Sequence, residues 1–231
     1  MRSAFAAFVL TASPLFAQIQ DNSFLIEEAY NQEDGVVQHI FTFSKPTRGN
    51  EWISTFTQEW PAGGLTNQLS YTIPYGLSGF GDVLLNYRYQ AFGSGETRVA
   101  CSPRASLIFG HGDPGAQVML PLSTVLSPRF VAHWNLAASW LPDKDFREYL
   151  AGGSVIFLAH PRFNALLEVL WTRDRDPGLR ESQTIVSPGV RWAYNLSRGL
   201  QIVPGIAFPV RVDGGGERSV FVYFSAEHPF R

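Results

Sequence analysis

The sequence predicts an all-β protein: a transmembrane antiparallel β-barrel of about 12 strands with a short N-terminal helical segment. Three observations predict it. From Val36 onward apolar and polar residues alternate with a period of two, where a helix needs a period of 3.6. Charged residues are only 16% of the chain and aromatics 14%, yet mean hydropathy is close to zero. Soluble domains carry about 25% charge. Low charge without net hydrophobicity fits a wall with one face to lipid and the other to a lumen. Lastly, past the N-terminus no run reaches the ~20 apolar residues of a spanning helix, so any crossing must use a closed sheet.

Residues 1–17 have the layout of a secretory signal peptide. Arg2 precedes an apolar run from Ala4 to Ala12, Ser13-Pro14 breaks it, and Phe16-Ala17-Gln18 offers a cleavage site. Losing Arg2 would take the net charge from −2 to −3. No cysteine lies at the cut, so no lipid anchor is expected there. Residues 18–35 form a periplasmic or plug segment. In it Asp21-Asn22-Ser23 would cap a helix over Phe24 to Tyr30, with Glu27 and Glu28 near its positive end and Gly35 as its stop. Filling the lumen and lying at its mouth are both open to such a segment.

The barrel spans 36–231. Val37, His39, Phe41 and Phe43 oppose Gln38, Ile40, Thr42 and Ser44; Val83, Leu85, Tyr87 and Tyr89 oppose Asp82, Asn86 and Arg88. The same sorting separates Trp134, Leu136 and Trp140 from His133, Asn135 and Ser139, and Phe163, Leu167 and Val169 from Asn164 and Glu168. Turns such as Pro61-Ala62-Gly63-Gly64, Ser127-Pro128, His160-Pro161 and Ser197-Arg198-Gly199 punctuate the strands. About twelve segments, an even number, put both ends on one side, the periplasm. Ser127-Pro128, His160-Pro161 and Ser197-Arg198-Gly199 then face inward, and the charged loops at Asp143 to Asp145 and Arg173 to Asp176 face out. Trp52, Trp60, Tyr75, Trp134, Trp140, Trp171 and Tyr194 suit interfacial girdles.

The last strand, Ser219 to Phe230, alternates Val220, Val222 and Phe224 with Phe221, Tyr223, Ser225 and Glu227. Its terminal aromatic resembles the closing signal of bacterial outer-membrane barrels, in which the final strand pairs with the first. That likeness implies insertion by the barrel assembly machinery through the C-terminal strand.

A second resemblance is broader. Asp21-Asn22-Ser23-Phe24-Leu25-Ile26-Glu27-Glu28-Ala29-Tyr30-Asn31-Gln32, leading to Gly35-Val36-Val37-Gln38-His39, is similar to the start of outer-membrane "transporter" proteins of the meta-pathway of phenol degradation family. Gly79-Phe80-Gly81-Asp82 resembles that family's glycine-x-glycine-aspartate element. Ser187-Pro188-Gly189-Val190-Arg191-Trp192 and Val203-Pro204-Gly205-Ile206 resemble its late paired strands. The middle departs, with a brief loop from Gly110 to Gly115 and Leu122-Ser123 where a glycine is expected. The resemblance implies a barrel of the bacterial outer membrane that transports small solutes.

By parity, Asp82, Asn86, Arg88, Arg98, Arg104, Asn164, Glu168 and Arg191 line the pore. They are either a charged constriction that selects what passes or ion pairs that brace a filled lumen. The function expected is a channel or transporter for passive passage of small, hydrophobic or aromatic solutes. A lipid-hydrolysing barrel enzyme and a closed structural barrel are the alternatives. For an enzyme, His133, Asn135 and Ser139 share a strand face, but same-face neighbours are ~6.6–7 Å apart, too far for a relay. No catalytic residue is therefore assigned and no enzyme expected. The single cysteine, Cys101, rules out an internal disulfide, and no motif suggests a metal or cofactor. The near-neutral charge gives no footprint for nucleic acid; lipid and a small solute are the expected partners.

Overall fold

The computed structural model describes residues 22–110, 112–176 and 179–230. The expected signal peptide, its expected cleavage site and Asp21 fall outside them. Twelve staves join antiparallel into one closed barrel. They are β1 Val36–Pro46, β2 Ile53–Pro61, β3 Asn67–Gly76, β4 Val83–Tyr89, β5 Arg104–Phe109 and β6 Gly115–Ser127. The second half adds β7 Phe130–Leu141, β8 Phe146–His160, β9 Phe163–Asp176, β10 Leu179–Trp192, β11 Gln201–Ala207 and β12 Ser219–Pro229. Short pieces extend four of them: Gly79–Phe80 beside β3, Val99–Cys101 before β5, Tyr194–Asn195 before β11 and Val210–Arg211 after it. Pro103 interrupts the fifth stave because it has no N–H, but its carbonyl still accepts from Tyr89 N at 3.0 Å.

The ring closes where the last strand was expected to close it. β12 pairs with β1 from Val36↔Pro229 to Pro46↔Ser219, and Phe230 N donates to Gly35 O at 2.9 Å. No free edge remains at that seam to template aggregation. The faces are inverted relative to a soluble protein. On β4, Tyr87 is 45% exposed on the outside while Arg88 beside it is 3% exposed within.

At one end β6–β7 and β8–β9 join through two-residue turns, and the segment before β1 enters there. At the other end the expected charged loop at Arg173 to Asp176 is instead strand. Arg173↔Ser182, Asp174↔Glu181 and Arg175↔Arg180 continue the ladder, so β9 and β10 run on as a hairpin. Exposed charges do not end a strand whose partner supplies a hydrogen bond at each step.

A strap across the lumen

The expected helix over Phe24 to Tyr30 does not form; residues 22–35 contain no helix. A seven-residue helix is marginal by itself, and here inward-facing wall side chains take over its hydrogen bonds. Phe24, Leu25 and Ile26 all donate their N–H groups to one oxygen, Glu168 Oε1 on β9, at 3.0, 2.7 and 3.1 Å. Glu27 N donates to Asn135 Oδ1 on β7 at 2.7 Å, and Ala29 N to Ser123 Oγ on β6 at 2.8 Å. Asn31 N donates to Gln90 Oε1 at 3.0 Å, and Gln32 N to Gln68 Oε1 on β3. The strap's carbonyls are matched too. Asn135 Nδ2 donates to Glu27 O, Gln90 Nε2 to Ala29 O, Arg88 Nη1 to Tyr30 O, and Arg191 to Asn22 O. The segment therefore crosses from β9–β10 to β3–β4 as an irregular strap whose backbone groups are satisfied by wall side chains in place of helical hydrogen bonds.

Its side chains are anchored by what the wall leaves out. Phe24 lies between Gly189 on β10 and Gly205 on β11, where an added Cβ would come within 2.8 and 2.5 Å of the ring. Phe221 and Tyr223 of the neighbouring β12 flank the ring, at centroid distances of 5.6 and 5.2 Å. Ile26 occupies the space above Gly152 on β8, 2.4 Å from where a Cβ would stand. Ser23 Oγ donates to Ser154 Oγ at 2.6 Å. Glu27 is held between two guanidinium groups: Arg88 Nη2 donates to Oε2 at 2.6 Å, and Arg104 to Oε1.

Around the strap every stave contributes a buried inward side chain. From β1 to β6 these are Gln38, Pro61, Gln68, Arg88, Ser102 (just before β5) and Ser123. From β7 to β12 they are Asn135, Ser154, Glu168, Arg191, Val203 and Ser225. A continuous collar of wall residues out of contact with water means that the strap fills the cross-section at this level. Toward the hairpin end the inward residues are half-buried, among them Thr42, Thr55, Thr57, Thr72, Gln117 and Glu148. They form a polar vestibule, braced by Thr42 Oγ1···Thr55 Oγ1 at 2.6 Å and Gln117 Nε2 donating to Ser139 Oγ at 2.9 Å.

Of the eight residues read from parity, Arg88, Arg104, Glu168 and Arg191 meet at the strap. Asn86 bonds within the wall, donating to Ser70 Oγ and accepting from Ser106 Oγ. Asn164 is fully buried on β9. Asp82 sits by the turn before β4, its carboxylate against Gly110, and Arg98 is exposed near the short-turn end. Sequence reading did not pick out Glu27, Gln68, Gln90 and Ser123, or the three glycines that make room for the strap. Inward parity marks Gln68, Gln90 and Ser123, but nothing local tells a pore-lining glutamine from one that caps another chain segment.

Two neighbouring carboxyls of the strap titrate in opposite directions. Burial by itself would raise the Glu27 carboxyl, but Arg104 and then Arg88 outweigh it and hold the group below its ordinary 4.5. Glu28 is pushed above 4.5 by burial, with Arg88, 3.9 Å away, compensating only in part. Glu59, His133 and Arg104 complete the charged surroundings. A raised carboxyl contributes docking stability below its undocked pKa and loses it as pH rises through the docked one. Glu28→Gln should therefore dock the strap more firmly than wild type at pH 7. The difference should vanish near pH 4, as read by hydrogen exchange of residues 22–34 at both pH values.

No protein-family model matches the sequence, and no curated protein matches it. Solved structures do. An outer membrane channel from Pseudomonas putida F1 superposes with a TM-score of 0.61 at 9% identity, covering 87% of this chain and 98% of that one. The NanC porin gives 0.62 at 10% identity, covering 81% and 98%. The CymD monoaromatic hydrocarbon channel gives 0.51 at 7% identity, covering 87% and 90%. With its closed ring, apolar outside and polar inside, the chain has the fold of the outer-membrane porin and channel barrels.

Proposed function

We propose that this protein is a channel of the bacterial outer membrane for passive passage of small solutes, held shut by its own N-terminal strap. The observation that carries this reading is the collar. The wall places polar and charged side chains inward on nearly every stave, and those side chains bond a segment that is not part of the wall. A barrel needing only a solid core would fill with apolar side chains at lower desolvation cost. A pore must instead offer donors and acceptors to water and solute whenever the strap is out.

The vestibule suits small hydrophobic or aromatic solutes. Its floor is apolar where Phe24 and Leu25 pack with Ile40, Phe221 and Tyr223. CymD is described as a monoaromatic hydrocarbon channel, and a KdgM porin as a complex with oligogalacturonate. Barrels of this fold thus serve solutes of different chemistry. The likeness of residues 21–39 to the phenol meta-pathway transporter family supports the aromatic end of that range. A signal peptide cleaved near Ala17, orientation with the strap toward the periplasm, and insertion by the barrel assembly machinery through β12 complete the proposal.

The enzymatic reading has one feature on its side, Ser123 Oγ within 2.7 Å of His133 Nδ1. Both residues are fully buried, and the same Oγ accepts from Ala29 N. With the strap docked, a lipid ester has no approach to it.

The test is conductance in planar lipid bilayers, with the chain intact and with residues 18–35 deleted. The intact chain should give brief, infrequent openings and the deletion a steady conductance. Silence from both forms would overturn the channel in favour of a closed structural barrel.

A further inference from the structure

The Glu27 clamp is partly open to solvent. Arg88 is 4% exposed and Arg104 11%, while the Glu27 side chain is 30% exposed. Arg104 reaches toward the vestibule, where its Nη2 donates to Gln117 Oε1 at 2.6 Å and Gln117 continues to Ser139. Two guanidinium groups converge on one carboxylate, and the Nε of each is buried without a hydrogen-bond partner. Such forks bind planar carboxylates through paired charge-assisted hydrogen bonds. If the Glu27 carboxylate is removed, Arg88 keeps Glu28 at 3.9 Å and Glu59 nearby, whereas Arg104 loses its ion-pair partner. Uncompensated charge of that kind demands a replacement anion.

We propose that Arg88 and Arg104 form a carboxylate-binding site that the protein's own Glu27 occupies in the shut state. A carboxylate-bearing solute entering from the vestibule competes for it and so loosens the strap. This rests on the channel reading for its consequence, but the site itself is a matter of binding. The strap also carries apolar side chains, Phe24 and Leu25, shortly before Glu27. An aromatic carboxylate is therefore the solute class that matches both halves of the floor, and a neutral aromatic of equal size lacks the group that unlocks it.

The test is calorimetric titration of the full chain, refolded in detergent, with benzoate and with benzyl alcohol. Benzoate should bind Glu27→Ala at least about tenfold more tightly than wild type, since the internal competitor is gone. Adding Arg104→Gln to that variant should remove the gain, and benzyl alcohol should not distinguish the three proteins. Should Glu27→Ala fail to refold, Glu27→Gln keeps the shape and should show the same order with a smaller gain. Equal binding of benzoate and benzyl alcohol, or full benzoate affinity without Arg104, overturns the proposal. The same proteins in bilayers keep the two readings apart. Steady channels with no benzoate preference in titration sink the site and leave the channel. A clamp-dependent benzoate site in proteins that never conduct does the reverse.

Discussion

Glu168→Ala should release the strap. One oxygen of this carboxylate accepts the N–H groups of Phe24, Leu25 and Ile26, and its other oxygen has no hydrogen-bond partner among the described residues. Removing it leaves three amide donors in the collar with nothing to bond. A buried unsatisfied donor costs about 1–3 kcal/mol, so the docked state loses roughly 3 kcal/mol or more, which at ~1.4 kcal/mol per decade is about a hundredfold in population. Undocking returns those amides to water, whereas the barrel wall keeps its ladder and has no reason to unfold. The expected result is a loss of hydrogen-exchange protection confined to residues 22–34, with conductance rising toward that of the deletion. Glu168→Gln separates charge from acceptor. It retains one carbonyl oxygen where Oε1 stood, and its effect should be several-fold smaller. Equal exchange in Glu168→Ala and wild type would mean that the strap is held by its remaining backbone bonds and its side chains without need of Glu168.

Filling the niche of Phe24 is the second large effect. In Gly189→Ala/Gly205→Ala the new methyl groups would lie 2.8 and 2.5 Å from the ring, well inside contact distance. Phe221 and Tyr223 on the neighbouring stave, Tyr223 in register with Gly205, flank the ring and limit its room to shift. Phe24 is half-buried, so eviction should cost the docked state about 2–3 kcal/mol, below the ~3–5 kcal/mol of a fully buried phenylalanine. The diagnostic is a mutant cycle. In a Phe24→Ala background the two glycine substitutions should cost far less, because the closest approaches left are Ala207 Cβ at 3.0 Å and Ile206 O at 3.1 Å for Gly189 and Val190 O at 3.2 Å for Gly205. Additive effects would show instead that the glycines serve the β10–β11 ladder, where Arg191 pairs with Gly205 and Gly189 with Ala207. The Ser187–Trp192 and Val203–Ile206 elements are adjacent strands in the fold, and each carries one wall of this niche.

Much of the fold is legible in order along the chain. A strand needs only its own alternation to declare which side chains face lipid, so Leu85, Tyr87 and Tyr89 separate from Asn86 and Arg88 without reference to any neighbour. Twelve such segments with turns between them imply a closed ring, since an open edge in lipid leaves its amides unpaired. Inward-facing Arg88, Arg104, Glu168 and Arg191 follow from the same parity. Where the expectation rested on exposure rather than pairing, as at Arg173 to Asp176, the hairpin partner decided otherwise.

The strap is the part that only the tertiary structure settled. Its helix signals are real: a capping Asn22-Ser23, early acids, a glycine stop. They lost to partners far away in sequence, Glu168 more than 140 positions from Phe24 and Asn135 more than 100 from Glu27. A segment this short gains too little from its own hydrogen bonds to hold a helix, so it takes the shape in which a ring of fixed acceptors can satisfy it. The sequence by itself determined a barrel with a polar, charged interior. That the interior is filled by the chain's own N-terminal segment follows from the closed ring, because only closure brings β3, β4, β6, β7 and β9 to face one point.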